Sequence, residues 1–418
     1  MKKISYHIFK LITLLICLVF FFSGCGKPSD GNHLFQDVTY KVEISDDSSS
    51  TPRTESEDLP NGNTTVSTDS SPDSSPDSSP IFNELENTEK FDAHNVLKFG
   101  CTDSRLTASL FIPSLAYMEN EVARDVMFTN FCFMPQNTFV YSGNGHREMT
   151  KTDWNSYIYN YEFKKGYNVD ALEEAAALVK SALQLGNDYK VGVYFSLLYP
   201  VETVTDFGNV NGKNLNFSSG DEDKISALKW MVDEHIKAFK ERNYQTLEIK
   251  GFYWHSESIN IEKDKNMLNA ITDYIRANEL ETVWSPYYKA RGYSEWSNCK
   301  FDRASMQANY FPGNSNLPNS GGIDRIASAA SITKSRGMGL EIEFAGETSE
   351  DAVSGTKEYL KKELEMGLMN GYHMWYIDQG PKSIRALYKS SNTYMNSLYK
   401  DIYLFLKGTL EAGDIYIK

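Results

Sequence analysis

The 418-residue sequence predicts an α/β fold, a single closed (β/α)8 barrel carried behind a disordered N-terminal tether. Three observations carry that expectation. Eight short, β-rich apolar runs recur along the last three quarters of the chain. Segments of helical periodicity separate most of them, which is the pattern of parallel strands joined by crossovers. About 330 residues follow Phe82, a length that suits one α/β barrel.

The strand candidates, in order, are VLKFG at 96–100, FTNFCFMP at 128–135, KVGVYFSLLYP at 190–200 and TLEIKGFYW at 246–254. TVWSPYY at 282–288, ASMQANYF at 304–311, GMGLEIEFA at 337–345 and GYHMWYID at 371–378 complete the set. The helical segments between them run from VDALEEAAALVKSALQLG through EDAVSGTKEYLKKELEMG, with one last helix expected across SIRALYKSSNTYMNSLYKDIYLFLKG. Several end on glycine, as a C-cap would. The region between the first two strands and the insertion GNGHREMTKTDWNSYIYNYEFKKG after the second read as irregular. An open sheet or a different strand count is therefore the competing architecture.

The start of the chain has its own grammar. Lys2 and Lys3 precede an apolar stretch from Leu11 to Phe22 that is too short to span a bilayer. It closes on Ser23-Gly24-Cys25, which resembles a bacterial lipobox, so residues 1–25 are expected to be a lipoprotein signal with Cys25 lipidated. An ordinary signal peptide or an uncleaved anchor is the alternative. In each case the rest of the chain leaves the cytoplasm, and with Cys25 lipidated it is held at a bacterial membrane. Residues 26–81 are rich in Ser, Thr, Asp and Pro and cannot bury enough apolar surface to order themselves. As a flexible coil such a tether reaches about 40 Å. The barrel domain is expected to occupy residues 82–418.

The formal net charge of −14 comes largely from that tether, which holds eleven acidic residues against three basic ones between 26 and 80. With no basic run and no RNA-binding signature, nucleic acid is excluded as a natural partner. Cys101, Cys132 and Cys299 remain once Cys17 and Cys25 are set aside, an odd number without metal-ligand spacing. Buried free thiols are expected, and neither a metal nor any other cofactor. A monomer is expected.

If the barrel closes, its site lies at the carboxyl ends of the strands. Glu257 follows the fourth strand in GFYWHSES, directly after the aromatic run Tyr253, Trp254 and His255. A solvated loop acid is the ordinary fate of such a residue, but position and aromatic company point to a site. On the seventh strand Leu340, Ile342 and Phe344 alternate with Glu341 and Glu343, which places both glutamates on the face away from the apolar set, toward the barrel interior. A charge there is costly unless paired or used. Glu343, nearer the carboxyl end, is the candidate for chemistry, and Glu341 is expected to pair with an inward cation or hydrogen-bonding neighbour below it. Strands four and seven lie on opposite sides of an eight-stranded barrel, so their acids can face one another across a substrate.

This layout is analogous to the retaining (β/α)8 glycoside hydrolases, in which a Glu after strand four is the acid/base and a Glu at the end of strand seven is the nucleophile. By that resemblance Glu257 is the acid/base and Glu343 the nucleophile. One departure is Ser256, where that clan commonly has Asn. A second resemblance covers about 95–408 and is carried by CTDSRLT at 101–107, FCFMP at 131–135, Asp153-Trp154, the third strand ending in Tyr199-Pro200, GFYWHSE, SPYYKARG, QANYF and GLEIEF. In that order these motifs resemble a bacterial domain-of-unknown-function family found on secreted and lipid-anchored proteins, whose members look carbohydrate-active.

Further rim candidates for substrate contact are Asp103 and Arg105 after the first strand, and Gln307 and Asn309 on the sixth. Tyr253, Trp254, His255 and Tyr287 join them, with Trp154, Trp284 and Trp375 as a stacking platform and Asp378 as a reserve carboxylate. Asp103 and Arg105 could equally pair with each other, and large aromatics also plug barrel mouths without touching a ligand. No phosphate loop, nucleotide fingerprint or nucleophile elbow is present. Two functions therefore remain open from sequence: a lipid-anchored glycoside hydrolase acting on a polysaccharide or glycan, and a carbohydrate-binding lipoprotein without turnover.

Overall fold

The structure is a computed structural model that describes residues 95–101, 105–142, 145–310, 321–344, 349–377 and 379–418. The signal, Cys25, the tether, Asp103 and Asp378 lie outside the described residues.

All eight expected strands form. They are β1 (Asn95–Gly100), β2 (Asn130–Met134), β3 (Val191–Leu197), β4 (Leu247–Trp254), β5 (Glu281–Trp284), β6 (Arg303–Met306), β7 in two segments (Gly339–Leu340 and Ile342–Phe344) and β8 (His373–Ile377). Every pairing is parallel. The first segment of β7 pairs with β6 and the second with β8, so the two ends of the sheet are halves of one strand and the barrel is closed. The principal helices are α1 (Ala108–Leu115), α2 (Val169–Ala182), α3 (Asp221–Arg242), α4 (Ile261–Ala277), α5 (Asp324–Arg336), α6 (Glu350–Met366), α7 (Pro381–Lys389) and α8 (Thr393–Leu406).

Strand alternation sorts the core into two parts. Outward residues such as Phe99, Phe133, Phe195, Phe252, Leu340 and Ile342 pack against the helices in one large cluster. Inward residues, among them Val96, Cys132, Met134, Tyr194, Tyr253, Val283 and Met374, fill the barrel. Cys101, Cys132 and Cys299 are free and buried, as expected.

Three local results differ from the sequence expectation. The expected last helix is two, because the Asn392 side chain accepts from the amides of Tyr394 and Met395 and starts a new helix. The irregular front contains α1 followed by an antiparallel hairpin at 116–126, and the insertion after β2 holds a second antiparallel pairing, of Tyr141–Ser142 with Gly145–His146, and a π-helix, Tyr157–Glu162. The sixth strand ends at Met306 rather than Phe311, so Gln307, Asn309 and Tyr310 leave the sheet and become loop.

Two glycines set the geometry that the site uses. Between Ile249 and Gly251 the β4 register against β3 shifts by one residue, a bulge that changes the phase of the strand and turns Gly251 and Tyr253 inward. A Cβ on Gly251 would meet the Glu281 carbonyl oxygen at 2.0 Å. Gly339 lies closer still to the backbone that leads into β8, and its Cβ would stand 1.5 Å from the carbonyl oxygen of Tyr372, the residue before that strand. No side chain can fit there without parting β7 from β8. Gly339→Ala should therefore lower stability by about 3 kcal/mol, measured by denaturant unfolding, whereas an effect below the error of that measurement would mean the strands part easily.

Candidate active site

At the barrel axis Lys98 on β1 donates to Glu341 Oε2 at 2.5 Å, and both are essentially buried, with 1% of each residue exposed. Ser285 Oγ, at the end of β5, donates to the same carboxylate oxygen. The Lys98 ammonium stands 5.3 Å from the Tyr253 ring centroid and 5.4 Å from that of Tyr376, so two aromatic faces complete its coordination. The expected inward partner of Glu341 is thus Lys98. The signal for Lys98 was present in VLKFG, where Leu97 and Phe99 face the helices and the intervening lysine must face the axis.

Glu257 lies three residues beyond the end of β4 and is half-buried. Its Oε1 accepts from Gln307 Nε2 at 2.8 Å, and Gln307 is held in turn by Asn309 Nδ2, which donates to Gln307 Oε1 at 2.8 Å. Asn309 Oδ1 accepts the Tyr288 amide at 2.8 Å, and its φ of 52° places it in the left-handed region that Asn tolerates. Burial raises the Glu257 carboxyl above its ordinary value, opposed by the Lys98 charge and by the Gln307 hydrogen bond.

Glu343, only 3% exposed, pairs in register with Tyr376 and so faces inward. Its Oε2 accepts from the Tyr310 amide at 3.3 Å and from the Tyr359 hydroxyl on α6. Oε1 is buried with no hydrogen-bond partner among the described residues. Burial, reinforced by the neighbouring Glu341 charge, pushes the Glu343 carboxyl up to about 8. Both candidate acids therefore hang on one segment, residues 307–310, released where β6 ends early.

A second group of rings stands beside Glu257. His146, from the hairpin after β2, stacks on Tyr199 with centroids 4.5 Å apart, and its Nε2 is 3.1 Å from Ser256 Oγ. Ser256 donates its hydroxyl to the Ser258 carbonyl, so His146 is the donor to Ser256. His255 is buried and hydrogen-bonded to the Pro135 carbonyl, and burial holds its imidazole down at about 3, that of His146 at about 4. Both rings are neutral at pH 7. His146 was missed from sequence because its insertion has no periodicity that shows where it lands.

The other sequence candidates separate. Tyr253 sits inside the barrel beneath the site, and Tyr287 is half-buried, its amide donating to the Glu257 carbonyl at 3.3 Å. Arg105 is exposed, its guanidinium 5.9 Å from the Tyr167 ring. Trp154, Trp254, Trp284 and Trp375 are fully buried in the layer between sheet and helices. They offer no stacking platform, because a tryptophan on an outward strand position or under a helix is consumed by the core. Trp284 Nε1 donates to the Ser256 carbonyl at 2.8 Å, and Trp375 Nε1 to Asn95 Oδ1 at 2.8 Å. No group of three or more His, Cys, Asp or Glu side chains able to hold a metal ion occurs among the described residues.

The Lys98 and Glu341 charges are costly to bury and tolerable only together. Lys98→Met should destabilise the protein by about 3 to 5 kcal/mol, and adding Glu341→Gln should restore most of that loss. Chemical denaturation of the two variants checks it, and strictly additive losses would mean that the charges are not coupled.

No curated protein matches the sequence. Solved structures similar to it include a GH18 chitinase from Pseudoalteromonas aurantia, at 10% identity and TM-score 0.37, covering 73% of this chain and 99% of that one. A putative alpha-galactosidase from Bacteroides fragilis matches at 9% identity and TM-score 0.37, covering 74% of this chain and 59% of that one. Methylaspartate ammonia lyase from Clostridium tetanomorphum matches at 12% identity and TM-score 0.37, covering 77% and 61%. Likenesses this distant carry no argument about the reaction. The model of a family described as a domain of unknown function, DUF4855, matches residues 97–404, three quarters of the sequence, and the chain belongs to that family.

Proposed function

We propose that this protein is a glycoside hydrolase acting on a polysaccharide or glycan outside the cytoplasm, anchored to a bacterial membrane through Cys25, with Glu257 and Glu343 as a retaining two-carboxylate pair. The observation that carries this reading is the mounting of two raised-pKa glutamates, after β4 and on β7, on the single segment 307–310. Perturbed carboxyls at the carboxyl ends of barrel strands are the groups that acid/base and nucleophilic work on a glycosidic bond requires. Gln307 holds Glu257 directly and Asn309 holds Gln307, a chain of amides of the kind that can also meet sugar hydroxyls.

In the reaction one glutamate gives its proton to the leaving oxygen while the other attacks the anomeric carbon. Water then releases the sugar from the resulting ester, returning its proton to the first glutamate. A second reading, carbohydrate binding without turnover, is favoured by the near-complete burial of Glu343, which leaves little of that carboxyl to meet a ligand in the free protein.

Release of reducing ends from a panel of polysaccharides separates the two. Under the hydrolase reading Glu257→Gln and Glu343→Gln each lower kcat by about 10³-fold while binding persists. A binding protein releases no reducing ends, and the same variants change affinity alone. For the anchor, Cys25→Ala should move the protein from the membrane to the soluble fraction; retention at the membrane would remove that part of the proposal.

A further inference from the structure

The retaining pair needs one glutamate protonated and the other ionised, and the resemblance to retaining hydrolases gives the proton to Glu257. The surroundings of the two residues point the other way. We propose that the buried Lys98–Glu341 ion pair divides the labour. Its positive end acts on Glu257, which is kept as the anion and is the nucleophile, and its negative end acts on Glu343, which holds the proton on its unpartnered Oε1 and is the acid. This rests on the hydrolase reading of the same site.

The geometry is that of a fixed dipole beneath the two residues. Lys98 is held between Tyr253, on β4 four residues before Glu257, and Tyr376, the register partner of Glu343. Glu341 lies two residues before Glu343 on β7, with Ser285 and Lys98 on its Oε2. Burial raises both site carboxyls. After burial, the largest influence on Glu257 is the Lys98 cation, which draws it back down, helped by the Gln307 amide. The largest after burial on Glu343 is the Glu341 anion, which pushes it further up. The Tyr359 and Tyr310 donors and the more distant Lys98 charge pull Glu343 down again and are outweighed, since it still stands at about 8. Glu341 and the Tyr253 hydroxyl are the other titratable groups coupled to Glu257. Two carboxyls whose environments differ in this way sort into acid and anion.

Hydrogen bonding also fixes where the proton sits. With both donors on Glu343 Oε2, the acid proton resides on Oε1, the oxygen with no acceptor among the described residues to compete for it. Oε1 is sealed in the free protein, so its delivery of the proton to the glycosidic oxygen requires that substrate binding uncover it; the same two donors then stabilise the carboxylate left behind. The bond from the anomeric carbon to that oxygen breaks, its electron pair departing with the protonated alcohol. Glu257 supplies the new pair through Oε2, because Oε1 is engaged by Gln307. In the second half Glu343 Oε1 takes a proton from water, the water oxygen attacks the anomeric carbon, and Glu257 leaves as carboxylate.

The test compares leaving groups. On a panel of dinitrophenyl glycosides, whose departure needs no acid, Glu343→Gln should keep kcat/KM, which reports the first half-reaction, within about tenfold, yet on the matching methyl glycosides kcat/KM should fall about 10³-fold. Glu257→Gln should lose both. Activity of the unaltered protein should fall as pH rises through about 8, because the acid form of Glu343 is then consumed. The exchanged pattern, with Glu257→Gln spared on dinitrophenyl substrates, would overturn the assignment.

Should the unaltered protein turn over no glycoside, the hydrolase reading fails, and proton placement is then read directly. In ¹³C carboxyl NMR titrations the resonance missing from Glu343→Gln should titrate near pH 8, and the one missing from Glu257→Gln at lower pH. The reverse order overturns the inference without reference to any reaction. Removing the dipole with Lys98→Met/Glu341→Gln should bring the two titrations together, a shift that a purely structural ion pair would not produce.

Discussion

One buried ion pair organises this barrel. Lys98 and Glu341 come from strands at opposite ends of the sequence, and neither charge could be tolerated at the axis without the other. Their contact ties β1 to β7 across the barrel interior, and the Tyr253 and Tyr376 rings pack around the ammonium from β4 and β8. The β4 bulge presents Tyr253 to that cation, and Gly251 makes the bulge possible by letting β4 approach the backbone of β5. What the pair stabilises and what it polarises are the same site, since Glu257 follows the strand that supplies Tyr253 and Glu343 is the register partner of Tyr376.

A large share of this was legible beforehand, for identifiable reasons. Eight apolar runs separated by amphipathic segments leave a closed parallel barrel as the simplest packing, and alternation on β7 alone placed Leu340 and Ile342 against the helices and Glu341 and Glu343 toward the axis. The same alternation in VLKFG carries the signal for Lys98, although at the level of sequence the partner of Glu341 stays an unnamed inward cation or hydrogen-bonding neighbour. What sequence could not supply was depth. Trp254 and Trp284 sit near strand ends, where a stacking role is plausible, yet their strand positions face the helices and burial claims them. The early end of β6 was equally hidden, since Gln307 through Phe311 are as compatible with strand as with loop, and only the pairing of Ser305 and Met306 with Gly339 and Leu340 decides it. That early end is what frees Gln307 to reach Glu257 and the Tyr310 amide to reach Glu343.

Electrostatics adds what topology cannot. Strands four and seven of many barrels bring two acids to one mouth, and position alone does not say which of them carries the proton. Here, after burial, the strongest influence on each acid differs in sign: Lys98 leads for Glu257 and Glu341 for Glu343, on which Lys98 and the Tyr359 and Tyr310 donors act more weakly. The neutral His146 and His255 on the flank contribute no charge to the contest at neutral pH. Division of labour between the two glutamates is then a property of what lies beneath them.

The account's central claim is a covalent one, that Glu257 attacks a sugar while Glu343 protonates the departing group. Incubating the protein with 2-deoxy-2-fluoro glycosides bearing dinitrophenolate leaving groups, followed by mass spectrometry of its proteolytic peptides, tests it most directly. The account predicts a glycosyl adduct on the peptide containing Glu257. An adduct on Glu343, or steady turnover of glycosides with no adduct on any panel member, would contradict it.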